Sequence, residues 1–197
     1  MMRFFDIVCS FLLICLALPL MFCIAVLIFC LNGRPVLYRA ARIGRYGVPY
    51  THMKFRTMRP GAETGRVFFE QDRLTRLGRM LRRLHLDELP ELFLILRGTM
   101  SFTGPRPLPE HLLQGLDTSI RSRVRPGWTG PAQLYLVRRG ILDKHLQIRL
   151  DNHYVHQQRF CYTIRLLAAT LCVLFHPATP DMRADATEDR RRFEKRV

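Results

Sequence analysis

The chain opens on an almost unbroken apolar run. Between residues 4 and 31 the only charge is Asp6, and the rest is chiefly Ile, Leu, Val, Phe, Cys, Ala and Met. A bilayer is spanned by roughly 20 such residues, so this run exceeds the need. It is too long for the apolar part of a signal peptide, and Leu31-Asn32-Gly33-Arg34-Pro35 offers no small-residue cleavage site. Pro19 falls near the middle, where it removes a backbone donor and crowds the preceding turn, so it predicts a kink. Two geometries stay open: a spanning helix, or one that breaks near Leu18-Pro19 and returns to the face it entered. The basic stretch that follows (Arg34, Arg39, Arg42, Arg45, Lys54, Arg56, Arg59) places the next part of the chain on the cytoplasmic side.

After this run the period changes. Residues 35–58 read as paired strands, with Val36, Tyr38, Tyr50 and His52 at alternating positions and Gly44-Arg45-Tyr46-Gly47 as the turn. Residues 60–71 read as a mobile loop. In 72–84, Leu74, Leu77, Leu81 and Leu84 recur at helical spacing among Arg73, Arg76, Arg79, Arg82 and Arg83. Such a helix lies either on an anionic membrane surface or in solvent as a basic face. A second helix opens at Asp87 as N-cap, tolerates Pro90 in its first turn, and ends at Gly98 after Arg97. Its apolar positions Leu89, Leu92, Phe93, Leu94, Ile95 and Leu96 predict burial on most sides. Gly104-Pro105-Arg106-Pro107 is a stiff turn. Residues 110–122 read as a helix, 125–131 as a rigid loop, 132–137 as a strand and 143–158 as a helix. Residues 163–175, too short to span, read as an interfacial or core helix. The charged tail 178–197 reads as disordered. The expectation is an α+β chain. A membrane helix (1–32) and a short β-hairpin precede several amphipathic or interfacial helices around a small membrane-associated catalytic domain (33–177).

Charge narrows the choice of partner. The formal net charge is +15, and 28 of the 31 basic residues are arginines, the lysines being Lys54, Lys144 and Lys195 alone. Arginine grips phosphate with a planar fork of donors, although codon usage also enriches it. The surface points to nucleic acid, anionic headgroups or phosphorylated substrates. Four of the six cysteines, Cys9, Cys15, Cys23 and Cys30, lie in the apolar run, and none forms a CxxC pair. They predict neither a disulfide framework nor a zinc site. His153 and His156, with His145 earlier, lack further ligands for zinc and read as surface or interfacial residues.

Between Asp72 and Glu110 the only carboxylates are Asp87, Glu88 and Glu91. Adjacent carboxylates at a helix N-terminus near arginines are expected to stay ionised. An ionised Asp is a competent nucleophile toward phosphorus, and a neighbouring Glu suits Mg²⁺. On spacing alone, a plain helix cap remains the simpler alternative.

Four ordered motifs change that balance: Lys54-Phe55-Arg56-Thr57-Met58; Leu86-Asp87-Glu88-Leu89-Pro90; Met100-Ser101-Phe102-Thr103-Gly104-Pro105-Arg106-Pro107; and Pro126-Gly127-Trp128-Thr129-Gly130-Pro131-Ala132-Gln133. Together with Phe5-Asp6, Pro19 and Arg42-Ile43-Gly44, they resemble the bacterial sugar transferases, the monotopic polyprenyl-phosphate phosphoglycosyl transferases. The resemblance covers roughly residues 3 to 175, and the chain looks like the minimal catalytic form of that family. It implies that Asp87 attacks the diphosphate of a UDP-sugar, leaving a phosphosugar on the enzyme and releasing UMP. Undecaprenyl phosphate then accepts the phosphosugar. It further implies that Glu88, beside Asp87, binds Mg²⁺ as cofactor and that Arg82 contacts phosphate. Lys54 and Arg56 would share the catalytic face, and Pro105-Arg106-Pro107 would bind the nucleotide. The first helix would be re-entrant, broken at Pro19. This places the enzyme in the bacterial inner membrane, facing the cytoplasm among membrane lipids, with dimerisation left open.

Some positions depart from the family pattern. Glu91 stands where Gln is common, Leu94 where Asn is common, Thr99 in place of Asp, and Leu134-Tyr135-Leu136-Val137-Arg138-Arg139 in place of a Gly-Arg-Asn continuation. A membrane-anchored nucleic-acid binder would need a recognition motif or aromatic platform, and none is found, so nucleic acid is not expected as a partner. A non-catalytic scaffold of a glycan-assembly complex is a third reading. Trp128 and Tyr135 are read as packing residues in preference to a stacking platform.

Overall fold

The computed structural model describes residues 1–59, 73–139 and 142–175. The expected mobile loop at 60–71 and the charged tail at 178–197 lie outside those residues. The chain forms two compact units, one made of Met2–Arg42 and Pro49–Met100, the other of Ile43–Val48 and the chain from Ser101 onward.

In the first unit, helix α1 runs from Met2 to Asn32 with Pro19 inside it. At 1.5 Å per residue it is about 46 Å long, and it is long and apolar enough to cross a membrane. The helix assignment continues through Pro19, although proline forfeits the hydrogen bond to the Cys15 carbonyl. Asp6, Ser10, Ile14, Met21, Ile24 and Ile28 are buried. Their three-, four- and seven-residue spacing puts them on one stripe. Phe4, Phe11, Leu12, Leu16, Phe22, Phe29 and Leu31 stand exposed around the rest of the helix.

The hairpin pairs β1 (Leu37–Ile43) with antiparallel β2 (Pro49–Phe55). Its turn is a single 3₁₀ turn, Arg45–Gly47, with Tyr46 in the left-handed region. Helix α2 (Arg76–Arg83) starts later than the leucine spacing suggests. Leu74 pairs with Met58 in an isolated bridge, and the hydroxyl of Thr75 caps the helix by accepting from the amide of Gly78 at 2.9 Å. A 3₁₀ turn, Leu86–Glu88, leads to helix α3 (Glu91–Arg97). Gly98 ends α3 in the left-handed conformation. Arg3 donates to the carbonyls of Ile95 and Leu96, both at 2.6 Å, and so satisfies groups that a helix C-terminus leaves open. Met21, Ile24 and Ile28 of α1 pack with Phe55 and Leu81 as the core of this unit. Leu77, Leu86, Leu89 and Phe93 flank them.

In the second unit, β3 (Ser101–Thr103) pairs parallel with β4 (Gly127–Thr129), Ser101 opposite Gly127 and Thr103 opposite Thr129. A Cβ on Gly127 would lie 2.0 Å from the backbone nitrogen of Gly104, so the glycines of these two motifs allow the backbones to meet. Residues 110–122 are not one helix. Short 3₁₀ turns at Glu110–Leu112 and Arg121–Arg123 take the ends. Between them Gly115 has φ +76°, and the carboxylate of Asp117 accepts from the Ser119 amide at 2.9 Å. Such local side-chain bonding competes with helix continuation. The strand expected at 132–137 is instead helix α4 (Pro131–Arg139), because Pro131 suits the first helical position. Asp143 caps α5 (Lys144–His156), and α6 spans Phe160–Phe175. Tyr135 packs against Ala132, Leu146 and Leu150, and Trp128 stands beside Phe102 with ring centroids 5.9 Å apart, so both aromatics serve packing.

Candidate active site

The carboxylate pair is set by a strained turn. His85, φ +55° and ψ +19°, occupies the left-handed region that a non-glycine residue enters at a cost. The chain reverses there and begins the 3₁₀ turn Leu86–Glu88. Asp87 is not the N-cap that its position suggests. It sits inside this turn, while the residue that precedes α3 is Pro90, which has no side-chain cap. The simple cap reading therefore loses its structural basis.

Asp87 is buried, with 7 % of its surface exposed. Burial raises its pKa above the ordinary carboxylate value and Glu88 raises it further, while Lys54 and Arg82 pull it down. The balance is upward, so Lys54 and Arg82 favour the ionised form without overcoming burial. Desolvation in a half-closed turn outweighs them. Lys54, on β2, forms an ion pair with Glu88 and lies 3.2 Å from Glu91 Oε1. Burial works against its charge, but Glu91 and then Glu88 outweigh that and hold its pKa above the usual lysine value. Arg82, on α2, donates from Nε to the Thr57 hydroxyl at 3.0 Å, which ties the arginine to the end of the Lys54–Met58 segment.

Four expected site residues, Lys54, Arg82, Asp87 and Glu88, thus act on one another in one unit. Arg56 does not join them. Its Nη2 donates to the carbonyls of Asn32 and Gly33 at 2.6 and 2.8 Å, so it closes the C-terminal end of α1. Pro105, Arg106 and Pro107 belong to the second unit. There Arg106, Pro105, Arg121, Ile43 and Pro126 border a small cavity. Arg121 Nη2 donates to the Arg106 carbonyl at 2.6 Å and lies 3.0 Å from Asp151 Oδ2. Burial pushes the Asp151 carboxyl up to about 7, with Arg121 offsetting part of the rise.

Sequence reasoning missed two neighbours of Lys54. Glu91 is buried, and His52 Nε2 approaches its Oε1 at 3.2 Å. The available signals were weak: a carboxylate three residues after Glu88, and a histidine two residues before Lys54. For Mg²⁺, the adjacent carboxylates of Asp87 and Glu88 fit the usual mode, in which one or two protein carboxylates are completed by water and substrate phosphates. Among the described residues no group of three or more His, Cys, Asp or Glu side chains gathers to hold a metal by itself.

A partly buried carboxylate faced by one lysine and one arginine, beside a second carboxylate, is suited to attack on an anionic phosphorus centre. The family model described as bacterial sugar transferase matches residues 1–177. The chain is 37% identical over 174 residues to the uncharacterized sugar transferase EpsL of Bacillus subtilis, covering 86% of this chain and 84% of that one. It is 37% identical over 187 residues to the UDP-glucose:undecaprenyl-phosphate glucose-1-phosphate transferase of Caulobacter vibrioides, covering 86% and 67%. With the Escherichia coli protein of the same name it shares 32% identity over 180 residues, covering 84% of this chain and 38% of that longer one. The chain belongs to the bacterial sugar transferase family. It is an enzyme of the phosphoglycosyl transferase type.

Proposed function

We propose that the chain transfers a sugar phosphate from a UDP-sugar to undecaprenyl phosphate through a covalent intermediate on Asp87. The observation that carries this reading is the Asp87 carboxylate, buried next to Glu88 and under the opposing charge of Lys54 and Arg82. A carboxylate oxygen of Asp87 attacks the phosphorus that bears the sugar. The bond from that phosphorus to the bridging diphosphate oxygen breaks, and UMP leaves with the electron pair. An oxygen of the lipid phosphate then attacks the same phosphorus and displaces the Asp87 carboxylate. A lipid-linked diphosphosugar results.

Lys54 and Arg82 stabilise the negative charge that gathers on the phosphoryl oxygens. Asp87 and Glu88 would hold Mg²⁺, which when bound neutralises diphosphate charge. Burial and Glu88 raise the pKa of Asp87, so its carboxylate is more basic than an ordinary one, which favours nucleophilic attack. In the second unit, Arg106 and the prolines on either side of it would bind the nucleotide.

The exposed apolar surface of α1 would face lipid acyl chains. A bend at Pro19, where a backbone hydrogen bond is lost, would return the helix to the cytoplasmic leaflet of the inner membrane. The arginine-rich chain after it would meet anionic headgroups there. An enzyme seated at this depth reaches a lipid phosphate at the interface and a soluble nucleotide sugar together.

Labelled UDP-sugar offered without lipid acceptor tests the reading. Wild type is expected to gain one phosphosugar by intact-protein mass spectrometry and to release an equivalent of UMP. Asp87→Asn is expected to gain none, and a normal adduct in that variant would remove Asp87 as the nucleophile.

A further inference from the structure

Glu91 holds a buried carboxylate whose presence the hydrogen bonding does not require. Its Oε1 meets His52 Nε2 and Lys54 Nζ, both at 3.2 Å. Neither contact has the alignment of a good hydrogen bond, so what remains is largely attraction between charges. The Tyr50 hydroxyl reaches His52 Nδ1 at 3.5 Å, and Tyr50 is held protonated by burial and by Glu91. That hydroxyl can donate to Nδ1, which leaves the proton of a neutral imidazole on Nε2, facing Glu91. Lys54 is the lysine cation within reach of Glu91, at 3.2 Å, and it compensates that charge. A glutamine would serve His52 as well without burying a charge, which is costly when uncompensated. The charge is explained by Lys54.

The two carboxylates that share the ammonium differ in setting. Glu88 is one-quarter exposed, and Glu91 only 3%. One is open to the site and the other is closed behind it. Lysine carries three donors on a flexible stem, so it can keep one contact while it releases another.

We infer that Glu91, backed by His52, is a positioning residue that keeps the Lys54 ammonium at the site from behind, so that Glu88 can give up that ammonium to another cation without Lys54 leaving. The inference rests on the reading of Glu88 as a metal-binding carboxylate. Without Glu91, Lys54 has Glu88 as its remaining close carboxylate among these two and competes with any divalent ion there. This role also gives a reason for Glu at a position where the resembling family commonly carries Gln.

The test is divalent-ion binding by the full chain in nanodiscs, with Mn²⁺ alone as an oxygen-ligated stand-in for Mg²⁺. Free Mn²⁺ is followed by its EPR signal. Glu88→Gln should weaken binding strongly; if it does not, the metal reading of Glu88 falls and the inference with it. Glu91→Gln should weaken binding about fivefold, as expected for losing one nearby partly screened charge and strengthening a competitor. Lys54→Met removes the competitor, so Glu91→Gln added to Lys54→Met should cost clearly less than it costs alone. Glu91→Asp, which keeps the charge but draws it back, should fall between wild type and Glu91→Gln, and gives the same reading if the glutamine variant fails to fold. If Glu88→Gln weakens binding while Glu91→Gln and Glu91→Asp bind as wild type, or if the Lys54 and Glu91 effects simply add, the inference is overturned and the metal reading survives.

Discussion

Replacing Gly78 by alanine sets helix propensity against packing, and the structure decides which prevails. In an open helix the change is worth about 1 kcal/mol in favour of alanine. Here a Cβ would lie 2.0 Å from the Thr57 carbonyl oxygen and 2.7 and 2.8 Å from its C and Cα. These are backbone atoms that cannot swing away, so α2 must retreat by more than about 1 Å to reach ordinary van der Waals separation. Among the hydrogen bonds that bridge that gap are two at 3.0 Å, one from the Thr75 amide to the Thr57 carbonyl and one from Arg82 Nε to the Thr57 hydroxyl. Losing both costs about 2 kcal/mol, and residual overpacking adds about 1–3 kcal/mol. After the propensity gain, Gly78→Ala should destabilise by about 2–4 kcal/mol. For a chain of this size that lowers Tm by about 4–16 °C. Thermal unfolding in nanodiscs measures it, and formation of the phosphosugar adduct should slow in parallel because Arg82 moves with the helix. A Tm equal to or above wild type would refute the argument, since propensity would then have outweighed contact.

Two further outcomes follow from the same structure. Thr75→Ala removes the cap on Gly78 and should cost about 1 kcal/mol in the same unfolding experiment. Asp151 titrates near 7 in the folded protein against about 4 when unfolded. Between those values the folded state binds the extra proton, so this group's stabilising contribution is full below pH 4 and is lost as pH rises through 7. Asp151→Asn should therefore flatten the fall in Tm between pH 5 and pH 8, and an unchanged slope would remove Asp151 as its source.

What the sequence made legible was whatever a local period or a backbone requirement controls. The apolar run became α1, the alternation around Gly44 became the hairpin, and Gly98 ended α3 in the conformation that glycine favours. The ordered motifs led to Asp87, Glu88, Lys54 and Arg82. The failures came where non-local contact or turn chemistry overrode the pattern. Asp87 has the residue type and place of a cap, but after the left-handed His85 it lies inside a 3₁₀ turn and caps no helix. Arg56 looks like a residue of the catalytic face from its motif, yet its Nη2 donates to the carbonyls at the end of α1. The Glu91–His52 contact joins residues 39 positions apart, and no periodicity along the chain announces it.

The inner stripe of α1 has a consequence for how this enzyme can be handled and rearranged. Ile28 is fully enclosed and Ile24 nearly so, and they close the same cluster as Leu81, five residues before Leu86 and the turn that carries Asp87. The anchor is therefore not a handle fastened to a finished enzyme. A generic hydrophobic tether put in its place would restore attachment to a bilayer and still leave a hole in the cluster that holds Leu81. Release from the membrane and loss of the catalytic interior would be one event, and a soluble form would need a new inner wall before it needed a new outer surface.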